Sequence, residues 1–298
     1  MIDSSWWWAV FTLIAAAAQT ARNAMQRELT ASLGTVGATH VRFLFGFPFA
    51  LVFLVIVAAV SGNALPRPSG TFWLWVIDGA LAQILATALM LAAMGERSFV
   101  VTIAYIKTEP VQVALFGLIF LGDLLTMPMV VAILIATAGV IVMSLKPNAA
   151  AGGSRATLIG LAAGAAFALS AIGYRGAVLN LEHPNFVMAA TFTLAVGLVM
   201  QASLLTLYLA IRDRAVLHAI ARAWRPSLFA GFMGAFASQF WFLAFALATA
   251  ASVRTLALVE VLFAQAISRF IFQQPTSARE GFGIALVVTG VALLIWAH

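Results

Sequence analysis

The sequence predicts an all-α polytopic membrane protein, with ten transmembrane helices arranged as two inverted five-helix repeats. Three observations carry that expectation: a composition too apolar for water, ten apolar runs of spanning length, and an ungapped match between the two halves of the chain. Of 298 residues, 63% are hydrophobic and 9% charged, against roughly a quarter charged in a soluble domain. A water-facing surface cannot be built from so few polar side chains, so the outer faces meet lipid. The runs are long and continuous rather than alternating in ten-residue strands, which excludes a β-barrel.

A spanning helix needs about 20 apolar residues. Runs of that kind fall at about 6–26, 35–60, 70–94, 98–121, 127–145, 156–179, 185–211, 226–248, 250–273 and 279–297. The first opens on Trp6, Trp7 and Trp8, an interfacial belt rather than the basic start of a cleavable signal peptide. The second carries His40 and Arg42 near its start, and "SGNALPRPSG" separates it from the third. The fourth holds the densest polar cluster in the chain, and "LGDLLTMP" divides it from the fifth. In the sixth, Gly160 and Gly164 form a small-xxx-small face for close approach of a neighbouring helix. "EHPN" precedes the seventh run; the basic segment 212–226, an expected interfacial helix, precedes the eighth. The ninth ends at "QQPTSAR", which leads into the tenth. No break is long enough to hold a soluble domain.

The segment "EPVQVALFGLIFLGDLLTMPMVVAILIATAGVIVM" aligns without a gap on "EVLFAQAISRFIFQQPTSAREGFGIALVVTGVALL". Glu109 then falls on Glu260, an offset of 151 residues (260 − 109), and the same register puts Gly139 on Gly290 and Gly46 on Gly197. The two units are 1–148 and 149–298, joined by "NAAAGGS". Five spans per unit is an odd number, so the second unit enters the bilayer upside down. Inverted repeats place a site near the midplane and allow alternating access.

This cast resembles the EamA-domain members of the drug/metabolite transporter superfamily. The resemblance rests on the fourth-run pattern of Pro110, Gly117, Leu121, Gly122, Asp123 and Thr126, on the Gly139 region, and on Arg42-Phe43. It implies export of small metabolites, most closely aromatic amino acids and methionine, across a bacterial inner membrane. Asp123 stands where the family has Glu, and Gln273-Gln274-Pro275 replaces Gly122-Asp123-Leu124 in the second unit.

A charge at the centre of a span costs roughly 2.5–3.5 kcal/mol on insertion scales, so such residues face a partner or a wet cavity. Tyr105, Glu109 and Gln112 share one helix face, with Lys107 on another and Pro110 loosening the backbone beside Glu109. The expected substrate-binding set is Gln19, Gln83, Tyr105, Glu109, Phe167, Trp241, Phe245 and Glu260. Glu109 and Glu260 would hold a substrate ammonium, and with Lys107 would form a proton- or charge-coupling set. Trp241 and Phe245, four residues apart, would give an aromatic wall with cation–π capacity. The plainer reading pairs Glu109 with Lys107 or with a neighbouring helix, holding the bundle together, and makes the aromatics packing or lipid contact. Arg22, Arg254 and Arg269 read as anchors near helix ends, His40 and Arg42 as interfacial, and Asp78 as a helix-start carboxylate.

The chain has no cysteine, no Gly-rich phosphate loop and no paired-histidine spacing, so no cofactor and no metal is expected. Its net charge of +6 is spread along the chain, without a nucleic-acid-binding arm. The expected partners are a small-molecule substrate and the bilayer, with the protein working as a monomer. Arg27, Arg97, Lys146, Arg155, Arg212, Arg214, Arg222, Arg225 and Arg279 follow odd-numbered runs, and Arg67 and Arg175 follow even-numbered ones. The positive-inside rule then puts both termini outside, whereas the resemblance puts both inside. Competing functions are export of a drug cation or a purine and, more remotely, an intramembrane enzyme, for which no nucleophile or metal set is visible.

Overall fold

The computed structural model describes residues 6–96, 106–144, 154–181, 183–270 and 277–297, and these residues form helices and short connections with no strand. The first helix, α1 (Trp7–Leu44), runs through the expected break after residue 26. Only Gly34 leaves helical geometry, at φ 68° and ψ 174°, and there the helix kinks. Across the kink, the Gln26 side-chain amide donates to the Ala38 carbonyl at 3.0 Å. The second apolar run is instead divided at Phe45-Gly46, and α2 (Phe47–Ser61) begins with Pro48 in its first turn. Proline is tolerated there because the first-turn N–H groups have no helical acceptor.

α3 spans Gly70–Glu96. Helix α4 (Glu109–Phe116) widens into a π turn at Gly117–Leu121, which Gly122 ends at φ 67°. A left-handed residue of this kind is the usual device for stopping a helix. α5 (Met127–Ser144) and α6 (Ser154–Leu179) follow. Asn185 caps α7 (Phe186–Arg212), its side-chain oxygen accepting from the Val187 and Met188 N–H groups at 2.9 and 3.2 Å. Asp213 caps α8 (Arg214–Arg222), a nine-residue amphipathic helix, as expected for the basic segment.

After α9 (Trp224–Leu247), the ninth run is interrupted. It consists of α10 (Ala250–Leu256), a 3-10 turn at Ala257–Val259, and α11 (Glu260–Phe270). The last helix is α12 (Ala278–Ala297). Among the described residues, six helical stretches are long and apolar enough to cross a membrane: Glu28–Ser61, Gly70–Ala93, Leu158–Leu179, Phe186–Arg212, Trp224–Leu247 and Ala278–Ala297. Glu109–Leu121 and Met127–Met143 are shorter apolar helices. The chain is a multi-pass membrane protein.

Three helix pairs dominate the packing: α3 with α6, α1 with α9, and α5 with α12. Glycine makes the last of these close. A Cβ on Gly139 would meet the Gly283 carbonyl at 2.7 Å and the Val287 nitrogen at 2.8 Å. On the other helix, a Cβ on Gly290 would meet the Ala136 nitrogen at 2.6 Å and the Ala132 carbonyl at 2.8 Å. The small face of α6 is used within the chain as well, with Gly164 against Ile106 and Gly173 against Gly79.

Arg27 and Arg175 are not loop charges, because each lies inside a helix. Arg175 is buried beside Asp123. Neither belongs in the tally of loop charges that sets orientation.

Candidate functional site

Helix breaks in the fourth and ninth runs bring their charged residues face to face in the interior. Glu109 is the first residue of α4 and Glu260 the first of α11. Each acid pairs with a cation of the other run. The Lys107 ammonium meets Glu260 Oε1 as an ion pair, and Arg254 Nε lies 3.0 Å from Glu109 Oε1. This second contact is an ion pair without hydrogen-bond alignment, so Arg254 Nε and Glu109 Oε1 carry no hydrogen bond. All four side chains are buried.

These residues line a cavity of about 20 Å³, together with Gln19, Arg22 and Asn23 of α1, Met90 of α3, Ile106, and Phe167 of α6. That is room for about one water molecule. The cavity wall is charged on one side and apolar at Phe167 and Met90.

Behind it stands an aromatic layer. The Arg254 guanidinium lies 4.5 Å above the Trp241 ring and 5.5 Å from Phe245. These two rings stack with centroids 6.3 Å apart. Trp241 Nε1 donates to Gln19 Oε1 at 3.1 Å, which ties the aromatic layer to the chamber wall.

Of the expected site residues, Gln19, Lys107, Glu109, Phe167 and Glu260 therefore line the chamber. Trp241 and Phe245 back one of its cations. Gln83 lies elsewhere, accepting a hydrogen bond from Gln201 Nε2 at 3.0 Å and linking α3 to α7. Tyr105 falls outside the described residues.

Four residues differ from their sequence reading. Arg22 does not snorkel: it is only 1% exposed, because α1 continues well past it to Leu44. Arg254 is no interfacial anchor, since α10 is buried along its whole length, Ala250–Leu256. His40 and Arg42 are buried rather than interfacial, held by Thr206 at 3.0 Å and Thr87 at 3.1 Å respectively. The available signal for Arg254 was its place in the same apolar run as Glu260, as Lys107 shares a run with Glu109.

Residues 6–145 match the EamA-like transporter family. The matched stretch holds α1 to α5, and with them Gln19, Arg22, Lys107 and Glu109 of the chamber. The matched family is one of transporters. A solved crystal structure superposes with a TM-score of 0.71 over 100% of this chain and 98% of its own, at 14% identity. At that identity the likeness is one of fold. No curated protein sequence matches the chain.

Proposed function

We propose that the protein is an exporter of small metabolites, amino acids first, that works by alternating access between two inverted five-helix units, 1–148 and 149–298, in a bacterial inner membrane. The observation that carries this reading is the crossed pairing at the chamber. Each unit supplies one acid and one cation, and each acid is held by the cation of the other unit. An arrangement of that kind stands where two units meet, and it has to break when they part.

The contacts of Gly139 and Gly290 support the repeat. The offset that carries Gly139 onto Gly290 also carries Ala132 onto Gly283 and Ala136 onto Val287. Those are the residues the two glycines face in turn, so the α5–α12 contact is reciprocal. Likewise, α3 on α6 is the counterpart of α9 on α1. Two-fold relations of this kind accompany inverted repeats, with interrupted helices at the midplane.

Amino acids come first because the chamber offers both signs of charge beside an apolar wall, with an aromatic layer one residue deeper. The present cavity admits about one water, so a metabolite enters only when the units separate. Counterflow of radiolabelled phenylalanine, methionine and threonine in proteoliposomes tests the reading. Wild-type protein is expected to exchange at least one of the three, and Glu109→Gln and Glu260→Gln to slow that exchange about tenfold or more. Equal exchange by wild type and both variants, or no exchange at all, defeats it.

A further inference from the structure

We infer that Arg22 is an oxyanion subsite of the chamber, taking the carboxylate of the transported solute. The inference rests on the carrier reading and narrows its substrates to solutes bearing an anionic group.

Among the described residues three cations line the chamber, Arg22, Lys107 and Arg254, against two carboxylates, Glu109 and Glu260. Both carboxylates are already taken, by Arg254 and Lys107. Arg22 is left over. Among the described residues its partner is the neutral amide of its own neighbour, Asn23 Oδ1, which accepts from Nη2 at 2.7 Å and from Nε at 3.3 Å. Nη1 has no hydrogen-bond partner among the described residues, although the side chain is buried. A second arginine adds to the excess. Arg42 packs against Gly234 from the same side as Arg22, donates to the Thr87 hydroxyl at 3.1 Å and lies 5.2 Å from the Phe43 ring, with no ion pair to a carboxylate among the described residues.

Burying a charge without a counter-charge is expensive, and its persistence needs a reason outside the fold. Local packing supplies only part of one. Glu260 attracts Arg22 electrostatically, but its Oε1 is paired with Lys107 and it makes no hydrogen bond or ion pair to the guanidinium, while Glu109 is paired with Arg254. A guanidinium suits a carboxylate well, since its planar fork presents parallel N–H donors to two oxygens. One monoanionic group restores neutrality among the chamber residues. A solute carrying only positive charge would add to the excess, so a drug cation fits poorly. The ammonium of an amino acid would then lie toward Glu109 or Glu260, and its side chain toward Phe167.

The test uses the full-length protein in detergent micelles, where binding needs no alternation. Melting temperature is followed against L-phenylalanine, L-methionine and L-threonine, against the methyl ester of each, and against inorganic phosphate. Wild-type protein, Arg22→Gln and Arg22→Lys are compared. At least one free acid is expected to stabilise the wild type at about tenfold lower concentration than its ester, a difference of about 1.4 kcal/mol. Arg22→Gln abolishes that gap, and Arg22→Lys keeps part of it. Without ligand, Arg22→Gln melts no lower than wild type, because it removes an uncompensated charge.

The inference is overturned if acid and ester act alike, if no free acid binds, if phosphate alone stabilises, or if Arg22→Gln fails to fold. The two readings can fail separately. Arg22-dependent binding of acids without counterflow removes the carrier and keeps the subsite. Counterflow of esters as fast as acids removes the subsite and keeps the carrier.

Discussion

Arg175 of α6 reaches across 52 residues of chain to Asp123, with Nη2 3.2 Å from Oδ1 and Nε 3.3 Å from Oδ2. The same guanidinium donates through Nη1 to the carbonyls of Phe245, at 2.6 Å, and Ala248. These lie at the C-terminal end of α9, where helical carbonyls lack intrahelical donors. Gly122 makes the geometry possible, turning the chain so that the Asp123 N–H donates to the Gly117 carbonyl at 3.1 Å. The Leu121-Gly122-Asp123 motif is thus a stop, a turn and a clamp on α6 and α9. Asp123→Asn is expected to lower stability by about 1–3 kcal/mol, the usual range for leaving a buried polar partner unsatisfied. Arg175→Met loses more, because it orphans a carboxylate and two carbonyls together. Thermal melts in one detergent measure both, and an Arg175→Met protein as stable as wild type would refute the clamp.

The contact of α5 with α12 predicts matched losses at two distant positions. Gly139→Ala and Gly290→Ala each force a methyl group into the opposing backbone. Overpacking of this kind costs about 1–3 kcal/mol. Because the two glycines occupy reciprocal places, the two variants should melt within about 1 kcal/mol of each other, and an alanine tolerated at only one position would speak against the symmetry.

Lys107 and Glu260 allow stability to be separated from transport. Removing one member of a buried pair leaves an uncompensated charge, at about 3–5 kcal/mol. Lys107→Met alone is therefore expected to melt well below wild type, and Lys107→Met/Glu260→Gln to recover most of the loss. Transport by the double variant stays low, since the chamber has lost both charges. The double-mutant cycle measures the coupling. If the two single losses simply add, the ion pair contributes nothing to the fold.

The all-helical, membrane-spanning character and several of the spans were legible because membrane thickness imposes a length that can be read along the chain. The expected runs 70–94, 156–179 and 226–248 became Gly70–Glu96, Ser154–Leu179 and Trp224–Leu247. Glu109 and Glu260 were visible for the same reason, as charges set in apolar surroundings. Their partners were not. Arg22 was read by its distance from the end of a run, but α1 does not end there. Arg254 stands near a helix start that other helices bury. Gln83 shows the opposite failure, since polarity deep in a run located a buried group without distinguishing an interhelical hydrogen bond to Gln201 from a cavity wall. Burial depth and pairing across the bundle depend on neighbours far along the chain, and no local pattern encodes them.

Trp241 holds two of the chamber's groups at once, through different parts of one ring system. Its N–H donates to Gln19, and its face lies under the Arg254 guanidinium. Trp241→Phe keeps a ring but deletes the donor, leaving the Gln19 carbonyl without that bond, and it presents a weaker π face to Arg254. The two effects together should lower stability by about 1–3 kcal/mol. Gln19→Leu removes the acceptor instead and leaves the cation–π contact in place. If Trp241 positions Arg254 against Glu109, Trp241→Phe slows counterflow more than Gln19→Leu does at equal loss of melting temperature. Equal slowing by both would mean that the hydrogen bond to Gln19, not the ring face beneath the guanidinium, holds this side of the chamber.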